Sequence, residues 1–340
     1  MNALRRSGTM LLAAGVGVVV SILLLTVIGA DAFGALGALI SGSVGSSVKL
    51  ADTVMAWSPV VLAAAGLVIT FRAGLWNIGV EGQLIAGAIA ATGVARSMGG
   101  PGWIVILLSL IAGLLGGAVW GLAAGLLRVY GNVNEIFGGL GLGYVAQAVA
   151  TYLVIGPWKR AGIASTSGTE PFREEVWMPA VGSTRLAPVA PLLAIAVVVA
   201  VWWLLDKTRF GLELKAVGSN LASARLIGIR SNQVMLGAFG AGGGLAGLAG
   251  GVVVMGIQHK LVPAVGGGRG FLAILVVLLA GMGIRAIAPV AFFFAAVSVG
   301  ASQLSLQFDL DSSLGGVLQG VVVLAALLLG AARRRKVEER

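Results

Sequence analysis

The sequence predicts an all-α membrane protein with about ten transmembrane helices, and three observations carry that expectation. Apolar residues make up 58% of the 340, charged residues only 11%, and the mean hydropathy is +1.01, beyond what a water-soluble core needs. Apolar runs of about 20 residues, the length that crosses a bilayer as a helix, recur along the whole chain. The 54 glycines sit inside Leu-, Val-, Ala- and Ile-rich runs, where small residues let helices approach closely rather than loosening the chain.

Taken in order, the expected spans are 10–30, 54–71, 75–95, 102–127, 135–156, 187–205, 233–256, 270–284, 286–304 and 313–332. The first follows Arg5 and Arg6 and looks like a signal peptide ending at Ala30-Asp31-Ala32. Its apolar run is longer than the roughly 7–15 residues of such a region, so a retained anchor is expected. The eighth span is short, and Gly281 to Gly283 followed by Arg285 leaves a helical hairpin or a re-entrant pair open for spans eight and nine. With the N-terminus in the cytoplasm, Arg72, Arg128, Lys207, Arg209, Arg285 and the cluster from Arg333 to Lys336 also fall inside. Asp31, Asp52, Glu170, Glu174, Glu175, Asp309 and Asp311 fall outside. The bias of Lys and Arg in short loops therefore places both termini in the cytoplasm. The chain reads as one transmembrane domain, 1–340, with an outer loop at 157–186 and a cytoplasmic loop at 206–232.

Several function classes drop out. Without cysteine there is neither a disulfide framework nor a thiolate metal site, and the lone His259 builds no histidine cluster. The net charge of +10 comes from short clusters between apolar spans, which favours membrane topology over nucleic-acid binding. No set of nucleophile, base and acid fits a catalytic site.

Gly113, Gly117, Gly121 and Gly125 recur every four residues and give overlapping GxxxG motifs on one helix face. The seventh span repeats the device with Gly240, Gly243, Gly244, Gly247 and Gly251. Such seams serve static packing or permit sliding. The denser Gly138, Gly139, Gly141 and Gly143 run suggests a bent or broken fifth helix near a pathway.

Polar residues inside spans mark candidate pathway positions, because a carboxylate at membrane depth costs several kcal/mol unless paired or wetted. Asn77 and Glu81, four apart, share one face of the expected third helix, with Gln83 on another. Glu81 has three open readings: an ion pair with Arg72, a hold on the helix start through its dipole, or a place on a polar route. Asn134 and Glu135 resemble a helix cap and a first-turn acid. Tyr144 and Gln147, three apart in mid-membrane, either touch a polar solute or bond a neighbouring helix.

The inner loop carries a short helix signal in which Ser219 or Asn220 caps the start and Gly228 ends it. A short exposed helix of small residues suits insertion into a partner's groove. Its sequence over 215–229, K-A-V-G-S-N-L-A-S-A-R-L-I-G-I, resembles the coupling region of ABC importer permeases of the ribose, nucleoside and branched-chain amino acid group. That family's pattern is R-A-V-G-x-N-x-x-A-A-R-x-x-G-I, and this chain departs from it at Lys215 and Ser223. Residues 72–83 are similar to its R-A-G-L-F-N-I-G-x-E-G-Q segment, with Trp76 in place of Phe. Asn134-Glu135 through Gly156-Pro157-Trp158-Lys159 resembles the purine nucleoside, or simple sugar, branch.

The resemblance spans about 55–330 and implies a multi-pass permease of a bacterial inner (plasma) membrane. Its implied partners are a second permease in a heterodimer, ATP-binding cassette subunits and an external solute-binding protein. Gly218, Asn220, Ala224, Arg225 and Gly228 match the coupling motif, while Asn77, Glu81, Gln83, Asn134, Glu135, Tyr144 and Gln147 are the pathway candidates. The chain itself has no G-x-x-x-x-G-K-[ST] phosphate loop, so it is expected to bind no cofactor, ATP-Mg residing on a partner. The expected solute is a nucleoside. A simple sugar or branched-chain amino acid is the alternative, or an ion-coupled secondary transporter in which Glu81 titrates.

Overall fold

In a computed structural model, residues 31–162, 167–308 and 314–321 are described, together with Thr26, residues 323–325 and Leu328. The expected span 10–30 thus lies outside the described residues apart from Thr26, as do Asp309, Asp311 and the basic cluster from Arg333. The helices run α1 (Ala32–Val44), α2 (Ser47–Arg72), α3 (Val80–Ser97), α4 (Gly102–Val129), α5 (Glu135–Ile155) and α6 (Val189–Lys207). Then come α7 (Arg209–Ser219), α8 (Leu221–Leu226), α9 (Ser231–Val252), α10 (Arg269–Leu279) and α11 (Ile284–Phe308), after which residues 314–321 are helical. A π-helical turn, Val253–Gln258, extends α9 and ends at His259, whose φ is 54°. Among the described residues, α2, α4, α5, α6, α9 with its π turn, and α11 are long and apolar enough to cross a bilayer, which makes this a multi-pass membrane protein.

Four features differ from the sequence expectation. The third helix begins at Val80 rather than near 75, because Gly74, at φ 74°, closes α2 in a Schellman motif. The Leu75 amide bonds the Thr70 carbonyl at 3.1 Å and the Gly74 amide bonds that of Phe71 at 3.0 Å. The same closure ends α10, with Gly281 at φ 61° and the Met282 amide 2.9 Å from the Val277 carbonyl. The eighth span is therefore an 11-residue helix. Helix α5 runs unbroken through its glycine run; the Gly79 and Gly82 backbone comes close at Gly139 and Gly143, while Gly141 has nothing within 4 Å. Helix α1 was not anticipated: its 13 residues fall short of a span, and Ala35, Ala38 and Leu39 pack on Ala301 and Leu304 of α11.

The core is built on α2 and α9. In their most apolar stretches 89% and 83% of residues are buried. Helix α4 crosses α9 at backbone contact: a Cβ on Gly121 would lie 3.0 Å from the Gly243 Cα, and one on Gly117 would be 2.6 Å from the Gly247 amide nitrogen.

The two ends of the bundle differ in chemistry. At the basic end, Asp206 of α6 lies 3.9 Å from Arg72 of α2 and 3.8 Å from Arg285 of α11, and Arg128 pairs with Glu135 at 3.1 Å. At the opposite, loop end the long connection before α6 is laced to the end of α9. The Phe172 and Met178 amides donate to the His259 and Met255 carbonyls at 2.8 and 3.0 Å, and the Thr169 amide donates to the Leu261 carbonyl at 2.8 Å.

Candidate functional site

The turn between α2 and α3 brings the first pathway candidates together in an unexpected way. Because α3 starts at Val80, Asn77 precedes the helix and shares no helical face with Glu81. Asn77 instead faces Gln83. The Asn77 Nδ2 donates to Gln83 Oε1 and the Gln83 Nε2 donates to Asn77 Oδ1, both at 2.9 Å, with both side chains fully buried. Two amides satisfying each other in a dry interior fasten the turn to the helix it precedes. Neither reaches an open surface.

Glu81 holds the start of a different helix. Its Oε1 accepts from the Gly268 amide at 2.8 Å and its Oε2 from the Gly270 amide at 2.6 Å, at the first turn of α10. A carboxylate on the unsatisfied amides at a helix N-terminus is both a cap and a charge matched to the dipole. Of the three readings open for Glu81, the ion pair with Arg72 is not formed: Arg72 lies with Asp206 instead. Helix α10 spans only about 16 Å at 1.5 Å per residue, roughly half of a 30 Å hydrocarbon core. It ends five residues before α11 starts at the basic end, so its N-terminus lies about 16 Å along the helix from that end. Residues 259–268, which return from the loop end without helical structure, reach that point with Leu261, Val265 and Gly266 buried and Ala264, Gly267 and Gly268 exposed. Arg269 secures them, donating to the Val265 and Gly266 carbonyls at 3.3 and 3.1 Å.

Two cavities flank the start of α10. A pocket of about 210 Å³ is lined by Ile78, Glu81, Leu140, Tyr144, Gln147 and Phe271. The Gln147 amide is committed to the Pro263 carbonyl and to the Thr151 hydroxyl, whereas Tyr144 is 77% exposed on the open face of α5. Asn134 and Glu135 do not line this pocket. Asn134 caps α5 through the Ile136 amide at 2.9 Å, and Glu135 holds Arg128 at the basic end. The second cavity, about 820 Å³ at the loop end, is bounded by Asp52, Trp177, Thr184, Arg185, His259 and Arg269. Trp177 stacks on His259 with ring centres 4.1 Å apart and planes 14° apart, and burial pushes the imidazole below its ordinary pKa. This grouping was not legible in the sequence, since it joins residues from 52 to 269 that share no spacing. Arg269 and Phe271 face different cavities, so the start of α10 is the wall between them.

At the basic end, residues 206–232 fold as α7 and α8. Thr208 caps α7 through the Gly211 amide at 3.2 Å, and Asn220 caps α8 through the Ser223 amide at 3.0 Å. Ser219 takes no part in the cap, its hydroxyl donating to the Lys215 carbonyl. Gly228, at φ 83°, closes α8 as a third Schellman motif, with the Ile229 amide 3.0 Å from the Ala224 carbonyl. Ala224 is buried beneath the helix, Arg225 reaches Asn232 at 3.3 Å, and Leu226 and Ile227 stand 87% and 74% exposed. Gly218 is pressed against the end of α2. A Cβ there would collide with the Arg72 carbonyl oxygen and lie 3.0 Å from the Gly74 nitrogen.

A bundle of membrane-crossing helices with a half-length helix packed among them, and with apolar side chains displayed at one end, is the architecture of a multi-pass membrane protein built around broken helices, as many transport permeases are. The chain belongs to the family described as branched-chain amino acid transport system / permease component, whose profile matches residues 49–327. It is 32% identical over 310 residues to a glucose ABC transporter permease protein of Haloferax volcanii, covering 88% of this chain and 81% of that one. It is 27% identical over 321 residues to a guanosine ABC transporter permease protein of Bacillus subtilis, covering 92% and 91%. A nucleoside ABC transporter permease protein of Lactococcus lactis is 27% identical over 269 residues, covering 76% and 72%. The chain is thus a permease subunit of an ABC transporter and not itself an enzyme; ATP hydrolysis belongs to a separate subunit.

Proposed function

We propose that this subunit carries a nucleoside inward, along the open face of α5 past Tyr144, in a bacterial inner membrane. The observation that supports this reading most directly is the state of Glu81: its charge is taken up by backbone amides beside the 210 Å³ pocket. A pocket whose one carboxylate is already occupied suits an uncharged solute rich in hydroxyl and ring groups, and two of the relatives are named for guanosine or nucleosides. The basic end is cytoplasmic, by the excess of Lys and Arg in its loops. About ten spans make up a single transmembrane domain over 1–340, with both termini inside. Leu226 and Ile227 enter a groove on an ATP-binding cassette subunit that holds ATP-Mg. A second permease completes the pathway as a heterodimer, and an external binding protein delivers solute to the loop end.

The test is reconstitution of the full complex in proteoliposomes, measuring uptake of labelled guanosine, adenosine, glucose and leucine with ATP inside the vesicle compartment that holds the motor. ATP-dependent nucleoside uptake is expected. Hexose uptake in its place would favour the second reading, which the Haloferax glucose permease supports. Uptake that follows an ion gradient in the absence of ATP would overturn both.

A further inference from the structure

The 206–232 loop, α5 and the start of α10 all meet one short piece of chain, residues 74–83. At one end Gly218 of α7 rests on it: a Cβ on Gly218 would lie 2.9 Å from the Ala73 carbonyl carbon, and one on Gly74 would be 3.3 Å from the Gly218 Cα. In the middle the Asn77–Gln83 amide pair locks the turn to the first turn of α3. At the far end the piece meets two helices. Gly79 and Gly82 lie on Gly139 and Gly143 of α5, where added Cβ atoms would be 2.9 and 2.7 Å from the facing Cα atoms. Glu81 grips the α10 start, and a Cβ on Gly270 would be 2.7 Å from the Glu81 Cα.

These contacts share a mechanical property. Side chains between two helices absorb small displacements by changing rotamer, whereas backbone against backbone has nothing to yield. Residues 74–83 touch α7 and α5 through glycine backbone, are cross-tied internally by two buried hydrogen bonds, and hold α10 by a charged cap. A push on the 206–232 loop therefore has a stiff route to both helices beside the 210 Å³ pocket, and to the wall between the cavities.

We infer that residues 74–83 are a rigid link carrying movement of the 206–232 loop to α5 and to the start of α10, with Gly218, Asn77, Gln83 and Glu81 as positioning residues for transport. The inference rests on the reading of 206–232 as the surface against which the ATP-hydrolysing subunit works. Two variants of the full complex test it. Gly218→Ala wedges the loop away from Arg72. The double variant Asn77→Leu with Gln83→Leu replaces both amides by apolar groups of similar size, so no buried amide is left unpaired while the tie is lost.

In the double variant, which leaves the 206–232 loop untouched, co-purification with the ATPase and the rate of ATP hydrolysis stay near wild type while solute moved per ATP falls about tenfold; in Gly218→Ala, at a residue of the coupling motif itself, solute moved per ATP hydrolysed by the assembled complex falls by a similar factor. A single fluorescent probe at Tyr152→Cys on α5, possible because the chain has no cysteine, reports the second readout. Its ATP-dependent signal is present in the parent and lost in the double variant. Should Gly218→Ala fail to assemble, the double variant decides alone. Uptake per ATP equal to wild type, or a probe response that persists, overturns the link. Absence of ATP-driven uptake in the wild-type complex instead overturns the transport reading and the link with it.

Discussion

Helices α9 and α5 are both long and apolar enough to cross a membrane, yet they live in different surroundings. In α9 83% of the most apolar stretch is buried against α2, α3 and α4, while in α5 the figure is 22%, with Phe137, Tyr144 and Tyr152 along the open side. Hydropathy does not separate them; the neighbours of their glycines do. Gly242, Gly243, Gly247 and Gly250 of α9 meet the backbone of α2, α4 and α3, whereas on α5 only Gly139 and Gly143 meet backbone, that of Gly79 and Gly82, and Gly141 has nothing within 4 Å. One helix is a keel fixed by backbone contact, and the other offers its face to lipid, solute or a partner.

The largest effect that tests this contrast comes from adding bulk to each helix. In Gly247→Leu the new side chain meets the Gly113 carbonyl and the Gly117 Cα, so loss of at least about 3 kcal/mol or failure to accumulate is expected. Gly141→Leu changes stability by less than about 0.5 kcal/mol. Thermal unfolding in detergent, followed by size-exclusion profile, reads both; equal costs would break the comparison. Next in size, Asn77→Ala strands the buried Gln83 amide and costs about 2 kcal/mol in the same assay. Tyr144→Ala, by contrast, leaves unfolding unchanged and acts on uptake, and an unchanged uptake rate would remove Tyr144 from the pathway.

Leu226→Asp extends the contrast beyond the bundle. The side chain touches little of its own chain, so stability holds while co-purification of the ATPase is lost. The smallest effect concerns pH. Burial lowers the His259 pKa in the folded protein, so the neutral ring stacked on Trp177 is the stable form. Stability is then full above the ordinary histidine value near 6.5 and declines as pH falls below it toward the lowered folded value. Unfolding temperatures at pH 7.5 and 5.5 measure this, and His259→Phe flattens the difference; a variant that keeps the whole slope assigns it elsewhere.

The spans of α2, α4, α5, α6, α9 and α11 were legible because each is an apolar run of bilayer length, and hydropathy needs no knowledge of neighbours. The failures have physical causes. Helix α1 is too short to register as a span, and Leu75 and Ile78 are apolar enough to hide the break that Gly74 makes. In the site, Asn220 and Gly228 were readable because a cap and a Schellman closure are local. The partners of Glu81 are backbone amides of Gly268 and Gly270, which carry no side-chain signature, and the Asn77–Gln83 pair exists only once the helix between them is shortened.

The half-length of α10 bears on how the protein is made. Eleven residues cannot enter a bilayer as an independent span, and their first turn is stabilised by a carboxylate synthesised almost 190 residues earlier. During synthesis the segment 259–283 has no stable place in lipid until α3 is already seated and presenting Glu81. Membrane insertion of this chain is therefore expected to finish by packing a late segment into a cleft prepared by earlier ones, so that substitution of one acidic residue near the beginning delays maturation near the end.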